Sequence, residues 1–297
     1  MRGSTDTIGF YHICTDGRAL SWMFQDDKDF ISGINHIAIC HLKTQVEIYA
    51  YVLMDNHVHF VIYGTILQCK AFINLFKKLT GKWIFTKYGI RNHLRLVPTE
   101  IIHLETDENI LNAIAYIDRN PLIAGYRYLS GEYPWGTSRF MFKKHHNIDT
   151  STTDKQTPIS SFTRRQQRNL LNTKVIIPDN WTVNDSGMIN PTSFINTVKV
   201  ESLFKTSLRY SYFLAKKLEG IIEQQIGYAQ KLFIPDKELR SIVHQILLNN
   251  YHTNSVKELG IKQRLEIAKT LKYKYASPLK QISRMIQIDE SLLKGFI

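Results

Sequence analysis

The chain has 297 residues, 43% of them hydrophobic and 22% charged, which excludes a wholly disordered or collagen-like polymer and fits one large domain or two to three modest ones. Lys and Arg number 38 against 26 Asp and Glu, a formal charge of +12, and such a surplus points to a polyanionic partner, nucleic acid ahead of a membrane surface. Three cysteines, Cys14, Cys40 and Cys69, form no CxxC pair, arguing against a disulfide scaffold or a thiolate zinc site and for a reducing, cytoplasmic setting.

Residues 10–15, aromatic and branched, predict a short strand. Residues 27–42 predict a helix with Phe30, Ile34, Ile37, Ala38 and His41 along one stripe. Strands follow at 46–54 and 58–63, and Asp55-Asn56 between them is turn chemistry, so the two are expected to pair as a hairpin. A helix is predicted over 66–88, a strand near 100–104, and a second long helix over 107–120, stopped by Pro121. This order implies an α+β architecture, an antiparallel sheet covered by helices. Residues 143–161 are polar and rich in Thr and Ser, which reads as a linker between domains at 1–142 and 162–297. Beyond it, apolar spacing predicts helices over 200–218 and 239–248. The last stretch predicts a helix over 277–285, a turn at 286–288 and a helix over 289–296, with Ile282, Met285, Ile288 and Leu292 as its small core. That pattern resembles the helix-turn-helix of replication-initiator and regulator domains, and a plain helical hairpin gives the same pattern. No apolar run approaches the roughly 20 residues a membrane span needs, and Met1-Arg2-Gly3-Ser4 leads into no apolar signal core.

His57-Val58-His59 opens the second hairpin strand, so both imidazoles share one face and can share a divalent cation. On its own the pattern also fits two half-buried or solvated histidines. Tyr116 and Asn120 lie one turn apart on one helix face. They fit equally a buried Tyr with a helix-capping Asn, or a nucleophile beside an amide oxygen that completes a metal site. Lys77, Lys78, Lys82 and Trp83 combine charge with an aromatic platform, suiting phosphate contacts and base stacking or simply a solvated helix face. Arg119, the cluster Arg164, Arg165 and Arg168, and Lys280 with Arg284 are further DNA-binding candidates.

The stretch Tyr51-Val-Leu-Met-Asp-Asn-His57-Val-His59-Phe-Val-Ile resembles the His-hydrophobic-His strand of the Y1 single-strand DNA transposases, the IS200/IS605-like family. Tyr116-Ile-Asp-Arg-Asn120-Pro-Leu-Ile-Ala-Gly125 and Tyr133-Pro-Trp-Gly-Thr-Ser-Arg139 resemble its REP-associated tyrosine transposase branch. The resemblance spans roughly residues 8–142 and rests on the order and separation of these motifs together. It implies a ferredoxin-like sheet of HUH type with helices on one face. It also implies Tyr116 as the nucleophile attacking a DNA phosphate, with His57, His59 and Asn120 as ligands of Mg²⁺ or Mn²⁺. The implied product is a 5′-phosphotyrosine with a free 3′-hydroxyl, made on single-stranded DNA near hairpins by a monomer or homodimer, with no membrane partner. Two departures stand out. Asp55 replaces the family's usual Pro, and Arg91-Asn92-His93-Leu94-Arg95-Leu96 replaces a Gly-His-Leu-x-Gln-Gly-Arg-type stretch, which puts substrate preference in doubt. A domesticated DNA-binding regulator without turnover is the alternative. A relaxase-like replication initiator shares the chemistry, but the Tyr-Ile-x-x-Asn-Pro motif argues against it.

Overall fold

A computed structural model of the chain describes residues 7–17, 19–20, 22–89, 94–124, 126, 128–143, 155–216, 236–273, 275, 277, 279–293 and 295–296. The chain divides into two compact units, Met1–Pro121 with Tyr128–Ala229, and Leu122–Arg127 with Gln230–Ile297. The domain limit expected at residue 142 therefore falls inside the first unit, as does half of the stretch expected to be a separate domain.

The first unit is built on an antiparallel sheet of four strands, β1 (Ile8–Thr15), β2 (Glu47–Leu53), β3 (Val58–Thr65) and β4 (Thr99–Leu104), in the order β2-β3-β1-β4. Asp55-Asn56 makes the hairpin turn as its composition demands, closed where Met54 N–H donates to the His57 carbonyl at 2.9 Å. A bulge at Ile48/Ala50 shifts the β2–β3 register by one residue. Helix α1 (Asp27–Thr44) starts where the Asp26 side chain accepts from Asp29 N–H. Helix α2 (Ile66–Tyr88) starts on a Thr65/Gln68 capping box and ends at Gly89, whose φ of 67° is the left-handed conformation that glycine adopts at least cost.

The pleat sorts side chains into two layers. Phe60 of β3 meets Phe72 and Phe76 of α2, with ring centroids 5.1 and 5.4 Å apart, so α2 lies on that face. His12, Cys14 and His59 point the other way, where helix α3 (Asp107–Ile123) brings Tyr116 within 5.5 Å of the His59 ring. This corrects the expectation of helices on one face alone: α3 takes the opposite one. Pro121 does not stop α3, which runs on to Ile123. So near the helix end the ring forfeits a single backbone bond, and Pro121 is buried there.

Strand β2 ends the sheet, and its outer edge is covered. Leu53 N–H donates to Trp135 O, Thr137 N–H to Tyr51 O, and Asn196 N–H to Ile48 O, at 2.9 to 3.0 Å. Pairing the edge with irregular chain removes an open template for other strands. Asn35 of α1 ties the later chain down further, donating to Gly187 O at 2.9 Å and accepting from Ile189 N–H at 2.8 Å. This later part contains the short pair β5 (Thr157–Pro158) and β6 (Thr182–Val183) with helices α4 (Arg164–Leu171), α5 (Thr197–Phe204) and α6 (Ser207–Ala215). The helix expected over 200–218 is broken. Lys205 adopts φ 68°, and Thr206 caps a new start by accepting from Arg209 N–H.

The second unit is helical: α7 (Asp236–Tyr251), α8 (Ile261–Tyr273), α9 (Leu279–Ile286) and α10 (Glu290–Leu293). Leu239, Val243, Leu247, Ile267, Leu271, Ile282, Met285 and Leu293 form its core. Ile288 packs against this core as expected, but Leu292 is 61% exposed and Leu293 takes its place, a one-residue error in helix phase. Among the described residues no helix is long and apolar enough to cross a membrane.

Candidate active site

The hairpin and α3 bring together residues about sixty positions apart in the chain. His57 Nε2 stands 3.3 Å from Asn120 Oδ1, and His59 Nε2 stands 3.4 Å from Asn120 Nδ2. The Tyr116 ring meets the His59 ring edge-on, one helical turn before Asn120. All four expected site residues thus converge on one face of the sheet, and all four are buried. Tyr116 itself is 2% exposed.

Hydrogen bonding fixes the chemistry of His57. Asn56 Nδ2 donates to Gly17 O at 2.6 Å, and since a carbonyl can only accept, the amide's oxygen must face the other way. That Oδ1 lies 2.7 Å from His57 Nδ1, which therefore carries the proton and leaves a lone pair on Nε2. In the orientation seen, His57 Nε2 and Asn120 Oδ1 present lone pairs to each other. A cation would satisfy that pair; hydrogen bonding alone would need the Asn120 amide turned over. Burial pushes the His57 imidazole down to about 4, partly countered by Asn120 and Asp16, so the ring is neutral and fit to ligate at neutral pH. Gly17 packs closely on this imidazole: a Cβ there would lie 3.0 Å from His57 Nδ1, so a larger residue would press on the ring.

Two further side chains join this site from β1. His12 Nε2 is 3.0 Å from His59 Nδ1, and the His12 ring lies 6.1 Å from that of Tyr116. The ligand atoms of His12, Cys14 and His59 all fall within 4.8 Å of one another. Cysteine spacing argued against a thiolate site, yet strand pairing places a thiol beside two imidazoles. The usable signal was the alternation of His12 and Cys14 along β1. Their meeting with His59 needs the β1–β3 register, which no local pattern encodes.

Helix α3 is held by Asp118, which lies between Tyr116 and Asn120 in sequence. Its buried carboxylate accepts from Tyr210 Oη at 2.7 Å and from Thr137 Oγ1 at 3.0 Å, and Tyr210 Oη is 2.9 Å from Ser138 Oγ. Burial pushes the Asp118 carboxyl up to about 7, opposed by Tyr210, Thr137 and the Ser138 backbone. Trp135, from the Tyr-Pro-Trp segment, stacks on Phe30 at 4.9 Å and serves packing.

The residues expected to touch DNA are dispersed. Lys77 is only 4% exposed and its ammonium donates to Val97 O at 2.5 Å, so its charge is committed to the backbone rather than presented outward. Trp83 Nε1 donates to Asp29 Oδ1 at 2.8 Å, which ties the indole to the start of α1. Lys78 and Lys82 are exposed on α2, Arg119 is half-buried on α3, and Arg164, Arg165 and Arg168 are exposed on α4. In the second unit Arg284 pairs with Asp236 at 3.0 Å. The Lys280 side chain, Arg91-Asn92-His93, Gly125 and residues 144–154 of the polar linker lie outside the described residues. No protein-family model, curated protein or solved structure matches the chain.

Proposed function

We propose that the protein is a metal-dependent nuclease and strand transferase for single-stranded DNA that works through a phosphotyrosine at Tyr116, as the Y1 transposases it resembles do. The observation that carries this reading is the convergence of His57, His59 and Asn120 on one point beside Tyr116. Two neutral imidazole nitrogens and an amide oxygen fit Mg²⁺ or Mn²⁺ as a three-ligand site with positions left for phosphate oxygens. An ion bound there would neutralise and polarise the scissile phosphate. Asn56 and His12 orient the two imidazoles, and Asp118 holds the helix that carries Tyr116 and Asn120. The Tyr116 hydroxyl attacks phosphorus, the bond to the 3′ oxygen breaks, and the proton of the phenol ends on that oxygen. Strand joining reverses the step without ATP, because the phosphotyrosine keeps the energy of the diester.

In this reading the sheet unit is a ferredoxin-like, HUH-type catalytic unit. Helices α9 and α10 form a helix-turn-helix that, with the basic surface, grips hairpin-bearing DNA. The protein acts in the cytoplasm as a monomer or homodimer. The second reading, a DNA-binding regulator without turnover, is favoured by the burial of Tyr116, since a nucleophile must meet its substrate. The full-length protein incubated with a labelled library of hairpin-bearing single strands and Mn²⁺ decides between them. A denaturation-resistant adduct is expected, abolished by EDTA and by Tyr116→Phe with DNA binding retained. An adduct that survives in the Phe variant would show that another residue is the nucleophile; DNA binding with no adduct would leave the regulator.

A further inference from the structure

We infer that His12, Cys14 and His59 form a second, thiophilic metal site, and that filling it disables the first because both need His59. The site is built by the sheet itself. His12 and Cys14 are two residues apart on β1 and share a face, and the β1–β3 register sets Cys14 directly opposite His59. Their three ligand atoms lie within 4.8 Å of one another, with His12 Nε2 and His59 Nδ1 at 3.0 Å. All three residues are almost wholly buried. Two imidazoles and a thiolate with no carboxylate select Zn²⁺, Cd²⁺ or Co²⁺ over Mg²⁺ or Mn²⁺.

Exclusion follows from the proton count of one imidazole. A neutral histidine has a single lone-pair nitrogen and a single N–H. To serve the site at Asn120, His59 must carry its lone pair on Nε2, so Nδ1–H donates to His12 Nε2. To serve the thiophilic site, His59 Nδ1 and His12 Nε2 must both be lone pairs, and the His59 proton must sit on Nε2, pointing at Asn120. When the ion enters, the Cys14 thiol loses its proton to solvent, the His59 proton moves from Nδ1 to Nε2, and nothing is oxidised or reduced. Three protein ligands leave the fourth tetrahedral position to water. Zinc therefore acts as an inhibitor that withdraws a ligand from the Asn120 site without touching substrate. The regulatory meaning rests on the function proposed above; the metal competition does not.

The test uses the full-length protein with Co²⁺ and Zn²⁺ as probes. Co²⁺ is expected to give one tight site with a thiolate-to-metal charge-transfer band, and Cys14→Ala should lose that band. Mn²⁺ affinity, read from the electron paramagnetic resonance signal of free Mn²⁺, should fall at least tenfold with one equivalent of Zn²⁺. In Cys14→Ala the fall should be much smaller, leaving only the direct competition of Zn²⁺ for the Asn120 site. If Cys14→Ala does not fold, Cys14→Ser, closer in volume, serves for the same band and the same competition. Absence of the band in the parent protein, simultaneous binding of Zn²⁺ and Mn²⁺, or equal Zn²⁺ competition in the Cys14 variant would each overturn the proposal. A parent protein that forms no adduct with Mn²⁺ alone would sink the transferase reading and leave the spectroscopic result standing.

Discussion

Asn56 offers the sharpest test of how the candidate site is organised, because its side chain bonds to His57 and to the Gly17 carbonyl rather than to Asn120 or Tyr116. In Asn56→Ala the His57 Nδ1–H loses an acceptor now at 2.7 Å, both residues being buried. A buried donor left without a partner costs about 1–3 kcal/mol. Freed of that bond, the ring also divides between two tautomers, only one of which presents a lone pair at Nε2. Loss of such an outer partner weakens metal binding by about 10- to 100-fold. The concentration of Mn²⁺ giving half-maximal adduct formation should rise by that factor, with the rate at saturating Mn²⁺ changing far less. Asn56→Asp is the informative companion. Its carboxylate still accepts from His57 but meets the Gly17 carbonyl, now 2.6 Å from the amide nitrogen, with repulsion, so it should recover part of the affinity and little of the stability. Thermal unfolding separates a loosened turn from a misdirected imidazole. If the Ala variant keeps its Mn²⁺ dependence, Asn56 does not set the tautomer of His57.

Tyr210→Phe removes the phenol that donates to the buried Asp118 carboxyl; above the pH of about 7 at which that group ionises the bond contributes about 1.5–3 kcal/mol, and below it about 0.5–1.5 kcal/mol. Denaturant unfolding should show that loss, and adduct formation should fall more than DNA affinity; unchanged stability would mean Asp118 finds another donor. Burial pushes His36 down to about 3 from its ordinary 6.5. The unfolded chain therefore takes up a proton the folded one refuses, stability falls as pH drops below 6.5, and by pH 5 the loss from this group is about 2 kcal/mol. In His36→Gln the difference in unfolding free energy between pH 7 and pH 5 should shrink by about that amount, and an unchanged difference would refute the assignment. A chain ending at Phe142 should fail to unfold cooperatively, whereas one ending at Ala229 keeps the first unit and should unfold in a single transition seen by circular dichroism. Equal cooperativity of the two would show that residues 155–216 add nothing to the sheet.

What the sequence revealed and what it hid divide by the range of the interaction. The strands, α1, α2 and the Asp55-Asn56 turn follow from periodicities and turn chemistry contained within a dozen residues, and they lie within a few residues of where the pattern puts them. The same alternation along the strand puts His57 and His59 on one face. Helical spacing likewise puts Tyr116 one turn from Asn120. That the two pairs meet came only from a resemblance, since nothing local joins β3 to α3. Lys77 shows the opposite failure. Its neighbours Phe76 and Thr80 are buried, and the helix phase that buries them takes the lysine along, where Val97 O receives its charge. Charge on a helix face is read from residue type, but its availability depends on a carbonyl twenty positions away.

The misplaced domain limit has the same cause. A polar, Ser- and Thr-rich stretch marks where the chain leaves the core, and by composition it reads as a joint between separate bodies. Composition says nothing of where the chain returns. Here it returns to the edge of β2, where Asn196 N–H and Ile48 O complete a backbone pair that the four-stranded sheet would otherwise leave open. It also returns to α3, where Tyr210 donates to Asp118 across 92 positions. Both contacts are polar, so each carries a penalty if one partner is missing, and that penalty adds to the burial of Ile159, Trp181, Ile189, Phe194, Val200 and Phe204 in binding the later chain to the first unit. A segment that pairs the open strand and holds the helix of Tyr116 and Asn120 is part of the candidate catalytic unit, whatever lies between.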